Sequence, residues 1–392
     1  MAPMKKDTLL ARTGRDPARY QGMVNTPVFR TSTVIFPDRD AYEARGGDDY
    51  KKVRYGLLGT PTTFALEEAV AKMEGGHAAV AVPSGLAAIA VALCAFLKSG
   101  DHLLAPDSVY SPTRNFCDRR LKPNGIDTEY YDPLIGAGIA KLIRPNTRVV
   151  FCEAPGSLTF EMQDIPAIAA VAHERGIPVL ADTTWGTPYF FRSFEKGVDV
   201  SIHAATKYIA GHADVVMGVI VTNERHWLTV RRAVADFGYG VSPDDCYLAL
   251  RGFRTIGVRM KQQMANALKV ARWLQSHPRV KRIIYPALEG DPGHALWKRD
   301  FSGAGSLFAF VLNPASEAQV TAFINALEVF GIGSSWGGFE SLAIAAHPEI
   351  LRSRTGKRWS RDEPVIRLHV GLEDPDDLIA DLERGFAALD KA

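Results

Sequence analysis

The chain has 392 residues, 46% hydrophobic and 23% charged, the make-up of a globular protein long enough for two or three domains and a large core. Its 46 basic and 44 acidic residues leave a net charge of +2, which excludes the basic excess that drives binding to a nucleic-acid backbone. Four cysteines with no C-x-x-C pair argue against a zinc knuckle or a thioredoxin-type centre, and no run approaches the roughly 20 apolar residues of a membrane span.

The opening, MAPMKKDTLLARTGRDP, has two lysines but no apolar stretch after them, so it does not read as a secretory signal, and the cytoplasm is the expected compartment. Residues 1–60 carry Pro17, Pro27, Pro37 and the Gly46-Gly47 pair without long periodicity, and read as an extended arm. TTFALEEAVAKMEGG then predicts an amphipathic helix stopped by Gly75-Gly76. AAVAV (78–82) reads as a strand, GLAAIAVALCAFLKSG (85–100) as a helix ended by Gly100, and HLLAP (102–106) as a strand again. RVVFCE (148–153), PVLAD (178–182), VDVSIH (198–203) and VVMGVIV (215–221) continue the series, with helices such as IPAIAAVAHERG (165–176) between them. Such alternation implies an α/β fold with a mainly parallel, doubly covered sheet. Residues 245–275 read as one long helix interrupted by Gly252 and Gly257. AGSLFAFVL (304–312), a helix near 316–328, VIRLHVGLE (365–373) and a final amphipathic helix (376–389) suggest a smaller α/β domain. The expected division is an arm (1–60), a large domain (61–255) and a C-terminal domain (256–392). Cys94, Cys117, Cys152 and Cys246 lie scattered in the chain and read as reduced core residues.

Four features carry chemistry, each at or just after the C-terminal end of a predicted strand, where open α/β sheets bind ligands. Ser84-Gly85-Leu86 opens a helix and offers free N–H groups to an anion, or is simply an N-cap. Asp182 ends an apolar strand, where a carboxylate needs a partner: a protonated ring nitrogen is one, a helix cap another. Lys207, in Ala205-Thr206-Lys207, lies between two apolar runs. It is either a surface lysine with a buried stem or a desolvated amine of lowered pKa suited to a Schiff base and to proton transfer. Arg367 interrupts an apolar strand and suits a carboxylate, either a ligand's or an acidic neighbour's. His203 and His212 flank the lysine without ligand spacing, and no metal is expected.

The order and spacing of these features resemble the Cys/Met-metabolism family of fold-type-I enzymes dependent on pyridoxal 5'-phosphate (PLP), and the likeness covers nearly the whole chain. The segment DVSIHAATKYIAGH (199–212) carries the family pattern around its lysine. VNTPVFRTSTVIF (24–36), YDPLIGAGI (131–139), EAPGSLTFE (153–161), SSWGGFESL (334–342) and IRLHVGLEDPDDLIADL (366–382) are similar to the cystathionine β-lyase branch. GHALWKRDFSGAGSLFAF (293–310) is too. The resemblance implies a seven-stranded, mainly parallel sheet in the large domain. It implies that Lys207 holds the cofactor as a Schiff base, that Asp182 partners the pyridine nitrogen, and that Tyr110 stacks on the ring. Gly85 and Leu86, with Thr206, would meet the phosphate. Arg367 would take the substrate carboxylate, aided by Ser335 and Trp336. Tyr55 would reach a neighbouring subunit's phosphate. The implied reaction is β-elimination on the thioether amino acid L-cystathionine, with γ-elimination, γ-replacement or broad cysteine-S-conjugate β-lyase chemistry as alternatives within the family. The implied assembly is a homotetramer, a dimer of dimers. Two positions depart from the family pattern. Leu57 stands where an arginine is usual, with Arg54 as a possible substitute, and Ala204 stands where many relatives have serine.

Overall fold

A computed structural model describes residues 4–47 and 50–392. Seven strands form the large sheet: β1 (Ala78–Val82), β2 (His102–Pro106), β3 (Asp127–Tyr131), β4 (Thr147–Glu153), β5 (Val179–Asp182), β6 (Val200–His203) and β7 (Gly218–Thr222). Their order is β1-β7-β6-β5-β4-β2-β3. Strand β7 runs antiparallel to both β1 and β6, and the remaining pairs are parallel. The central strands are apolar on both faces because helices cover both, as parallel sheets require.

A second sheet holds β8 (Val280–Ile284), β9 (Leu307–Leu312), β10 (Gly331–Ile332), β11 (Leu342–Ala346) and β12 (Val365–His369), in the order β10-β11-β12-β9-β8. It is antiparallel apart from the short β10–β11 pair. One apolar core runs from Val150, Cys152 and Ala181 beneath the large sheet into Phe308, Phe310 and Ile366 of the second. Among the described residues, no helix is long and apolar enough to cross a membrane. Cys117, Cys152 and Cys246 are buried, Cys94 is half-buried, and all four are free.

Local departures from the sequence reading have physical causes. The helix opening at Gly85 ends at Phe96 rather than at Gly100, because Leu97 turns extended and Asp101 accepts a hydrogen bond from the Lys98 amide. Residues 215–217 stay out of β7 because the Met217 main chain exchanges hydrogen bonds with Thr206. The long helix divides into Pro243–Arg254 and Ile256–Gln275 at Thr255, not at a glycine. There the Gly252 carbonyl accepts from the Thr255 amide, the Thr255 hydroxyl and the Arg259 guanidinium, which tightens the turn. The arm is not wholly extended. Lys6–Arg12 is helical and docked, with Leu10 buried and Asp7 bonded to Tyr189 and Lys261. Met1 to Pro3, the start of the predicted arm and of the segment tested for a secretory signal, lie outside the described residues. So do Asp48 and Asp49 within the arm.

Candidate active site

The sheet topology assembles the floor of the site. Strands β4 and β5 run parallel with Glu153 and Asp182 directly side by side at their ends. Strand β6 then delivers the turn that carries Lys207. Asp182 takes one hydrogen bond from the Thr184 amide, and burial pushes its carboxyl upward. The Lys207 amide donates to the Ala204 carbonyl, and the Lys207 carbonyl accepts from Gly211, so the main chain is fixed on both sides. Its amine donates to Ser335 Oγ at 2.6 Å and lies 5.3 Å from the Trp336 ring centroid. Burial and the positive charge of Arg367 lower the amine to about 8, against the opposing pull of Asp182. This answers the choice left open at Lys207: it is a desolvated amine inside a cleft.

Beneath that floor His203 is structural. Its Nε2 lies 2.8 Å from Oε2 of Glu74, and Glu74 also accepts hydrogen bonds from Ser193 and Ser201. His212 turns away to bond the Ala210 carbonyl. Among the described residues no group of three or more His, Cys, Asp or Glu is placed to hold a metal ion.

The facing wall comes from the second sheet. Arg367 sits in β12 between Ile344 of β11 and Ala309 of β9. Its guanidinium is buried and, among the described residues, donates to the Ser334 and Ser335 carbonyls, at 3.1 and 3.3 Å. Burial pulls it down to about 10, so it is a cation short of an anion. The loop Ser335–Gly338 crosses directly over the lysine. A Cβ at Gly337, whose φ is +86°, would lie 2.8 Å from the Lys207 carbonyl carbon and the Tyr208 amide nitrogen. Trp336 is thereby pressed onto Tyr208, with ring centroids 5.4 Å apart. Tyr110 flanks the helix Ser111–Phe116, with its ring at the cleft and 42% of its surface exposed.

At the far end, Ser84 caps the helix Gly85–Phe96 by accepting from the Ala87 amide. Both readings of this segment therefore hold together. The first intrahelical bond begins at Ala88, leaving the Gly85 and Leu86 N–H groups free to face an anion. A Cβ at Gly85 would come within 2.6 Å of Ala204, so only glycine lets the helix terminus approach the lysine loop. The Thr206 hydroxyl is already engaged, donating to the Met217 carbonyl and accepting from the Met217 amide. Tyr55 is half-exposed on a short 3-10 turn, Gly56–Leu58, and does not line this chain's own cleft. Arg54 donates to the Gly47 carbonyl and sits 5.4 Å from the Tyr50 ring, away from the cleft, while Leu57 packs toward Gly240.

Sequence reasoning missed two parts of the site. Glu153 lines the cleft and accepts the Tyr110 amide at 2.8 Å. It ends an apolar strand just as Asp182 does, so the signal that singled out Asp182 was present there too. The other part is a clamp at the rim. Asp107, wholly buried, accepts from the amides of Ser353, Arg354 and Thr355, from the hydroxyls of Ser353 and Thr355, and from Arg114. These donors hold its carboxyl far below the usual range although burial alone would raise it. Arg352 completes the clamp by bonding the Asp107 and Ser157 carbonyls and the Thr159 hydroxyl. The loop bearing Tyr110 is thus tied to a segment more than 240 residues away in sequence.

These walls enclose a cleft of about 270 Å³, room for a small planar ligand. The Lys207 amine, the paired carboxylates Asp182 and Glu153, the face of Tyr110, the helix terminus at Gly85 and the Arg367 guanidinium converge there. That set fits PLP with an amino-acid carboxylate beside it. Residues 7–387 match the family described as Cys/Met metabolism PLP-dependent enzyme. The chain belongs to that family. Like its members it is a PLP-dependent enzyme. A provisionally named cystathionine beta-lyase of Rhizobium johnstonii is 50% identical, covering 97% of this chain and 96% of the relative. The cystathionine beta-lyase MetC of Escherichia coli is 42% identical over 99% of this chain and its own full length. The crystal structure of a cystathionine gamma-lyase from Lactobacillus plantarum, complexed with L-serine, superposes with a TM-score of 0.89 at 31% identity, covering 99% of this chain and 100% of that one.

Proposed function

We propose that this protein is a cystathionine β-lyase, a carbon–sulfur lyase that converts L-cystathionine and water to homocysteine, pyruvate and ammonia. The observation that carries the reading is the Lys207 amine, lowered to about 8 and seated between Ser335, Trp336 and Asp182 in one cleft with Arg367. Lys207 is the residue that would hold the cofactor covalently. The chemistry supplied by PLP, when bound, is an electron sink for the charge that develops at Cα. Asp182, half-buried at the end of β5 and bonded to the Thr184 amide, would hold a proton on the pyridine nitrogen. Tyr110 would cover the ring, and the Gly85 and Leu86 N–H groups would receive the phosphate. Arg367 binds the substrate α-carboxylate and so orients the Cα–H bond toward Lys207. The freed Lys207 amine removes the Cα proton, and Lys207 or Tyr110 returns a proton to the departing sulfur. Ser335 and Trp336 hold that amine in place beforehand.

Identity of 41–50% to β-lyases over nearly the full chain supports β- over γ-elimination. The test is turnover of cystathionine with the oxo-acid identified. Pyruvate is expected, and 2-oxobutyrate as the main product would replace the assignment with γ-elimination. The arm, which presents Tyr55 outward, supports assembly into dimers and a tetramer of two dimers, in the cytoplasm. Light scattering of the purified protein checks the assembly.

A further inference from the structure

Glu153 has no role in the steps above, yet it lies on the floor of the site. It is in register with Asp182 on the adjacent parallel strand, 8% exposed, and its carboxyl faces the main-chain amides of Tyr110 and Ser157 rather than a paired cation. Two ionised carboxylates side by side in so dry a place would repel strongly, and one of them must keep its proton. Asp182 is the one that faces a future cation, the protonated pyridine nitrogen. Glu153 instead faces an N–H donor, a contact that a neutral carboxyl serves through its carbonyl oxygen.

We propose that Glu153 is a positioning residue that works as a neutral carboxylic acid: it fixes the main chain of Tyr110 at the ring face and leaves the floor's negative charge to Asp182. The inference rests on the reading of Asp182 and Tyr110 as cofactor-contacting groups. Burial first, and the neighbouring Asp182 second, push the Glu153 carboxyl well above the usual range. The charged or titratable groups that face it are Asp182, Tyr110, Tyr131 and Arg352. Of these Arg352 favours the ionised form, with its own bonds going to Asp107, Ser157 and Thr159, and the Tyr110 and Ser157 amides favour it too, but burial and Asp182 oppose them. An ionised Glu153 would also compete with Asp182 for the positive charge of the ring.

The test compares the holoenzyme with its Glu153→Gln and Glu153→Ala variants. Glutamine keeps a neutral acceptor of the same shape, so kcat/KM and both limbs of its pH profile should stay within about twofold of the parent. The infrared spectrum of the parent minus Glu153→Gln should contain the carbonyl stretch of a protonated carboxyl at neutral pH. Alanine removes the acceptor and should lower kcat/KM by about tenfold, mostly in kcat, as Tyr110 loses its place. A missing stretch overturns the proposal, as does a pH profile displaced in Glu153→Gln or an alanine variant as active as the parent. The infrared signal needs no turnover. A protein that showed it while making no pyruvate would refute the lyase assignment and leave the neutral acid standing.

Discussion

The two ends of the cleft are built in opposite ways. The reactive end draws Asp182, Glu153 and Arg367 from the ends or interior of strands and Lys207 from the turn after β6, and each main chain is fixed by sheet or turn hydrogen bonds before any ligand arrives. The end proposed for the phosphate has the helix terminus at Gly85 and Leu86 as its fixed element, and in the proposed assembly it would be completed by a neighbour's arm, whose Tyr55 is half-exposed and does not line its own cleft. Chemistry that tolerates little misplacement sits on strands. Electrostatic anchoring, which acts over longer range and with looser geometry, is left to a segment that a neighbouring copy can complete.

That contrast predicts a gradient of effects. Lys207→Ala should be the most damaging change, abolishing the visible absorbance of the bound cofactor and cutting pyruvate production by about 10⁴-fold or more. A variant that kept measurable turnover would break the comparison at its root. Arg367→Leu should lower kcat/KM for cystathionine by roughly 10–100-fold, the worth of one charge-assisted pair, chiefly by raising KM in steady-state assays.

Asp107→Asn turns an acceptor into a donor before three of its partners, and should destabilise the fold by about 3 kcal/mol in denaturant titration while loosening the Tyr110 loop. The sign with pH follows from its depressed value. The contribution of Asp107 is complete above the unfolded carboxylate value near ~4 and is lost as pH falls through the lower folded value, so the variant should lack that part of the acid transition. Lys207 itself sets a second pH effect. The rate at which protein stripped of cofactor takes it up again should rise with pH through about 8 and level off above, because only the neutral amine reacts. The smallest effect belongs to the arm. Tyr55→Phe should weaken cofactor binding a few-fold in the assembled protein and not at all in dilute, dissociated chains, measured by titration followed in absorbance.

Much of the reactive end was legible in the sequence because a charged residue inside an apolar strand is conspicuous. Asp182 and Arg367 each broke such a run, and Lys207 stood between two of them. Glu153 gave the same signal but stood beside no quoted role. Asp107 was invisible for a different reason. Its meaning comes from donors at 353–355, and local spacing carries no information about a partner so far along the chain. Strand β3, Asp127–Tyr131, was missed because an edge strand of mixed polarity lacks both the alternation and the apolar run that mark strands. The division at Thr255 was misplaced because glycine is the more familiar breaker, whereas here side-chain hydrogen bonds to one carbonyl did the work.

The Asp107 clamp has a consequence for how the enzyme is made. As the chain leaves the ribosome, strand β2 and the Tyr110 loop emerge first, but the donors that fix them are about 246 residues later. The catalytic rim stays open, with a buried-in-waiting carboxylate still hydrated, until nearly nine-tenths of the protein has been synthesised. A chain that ends before residue 353 lacks the donors of this clamp and cannot close the rim around Asp107.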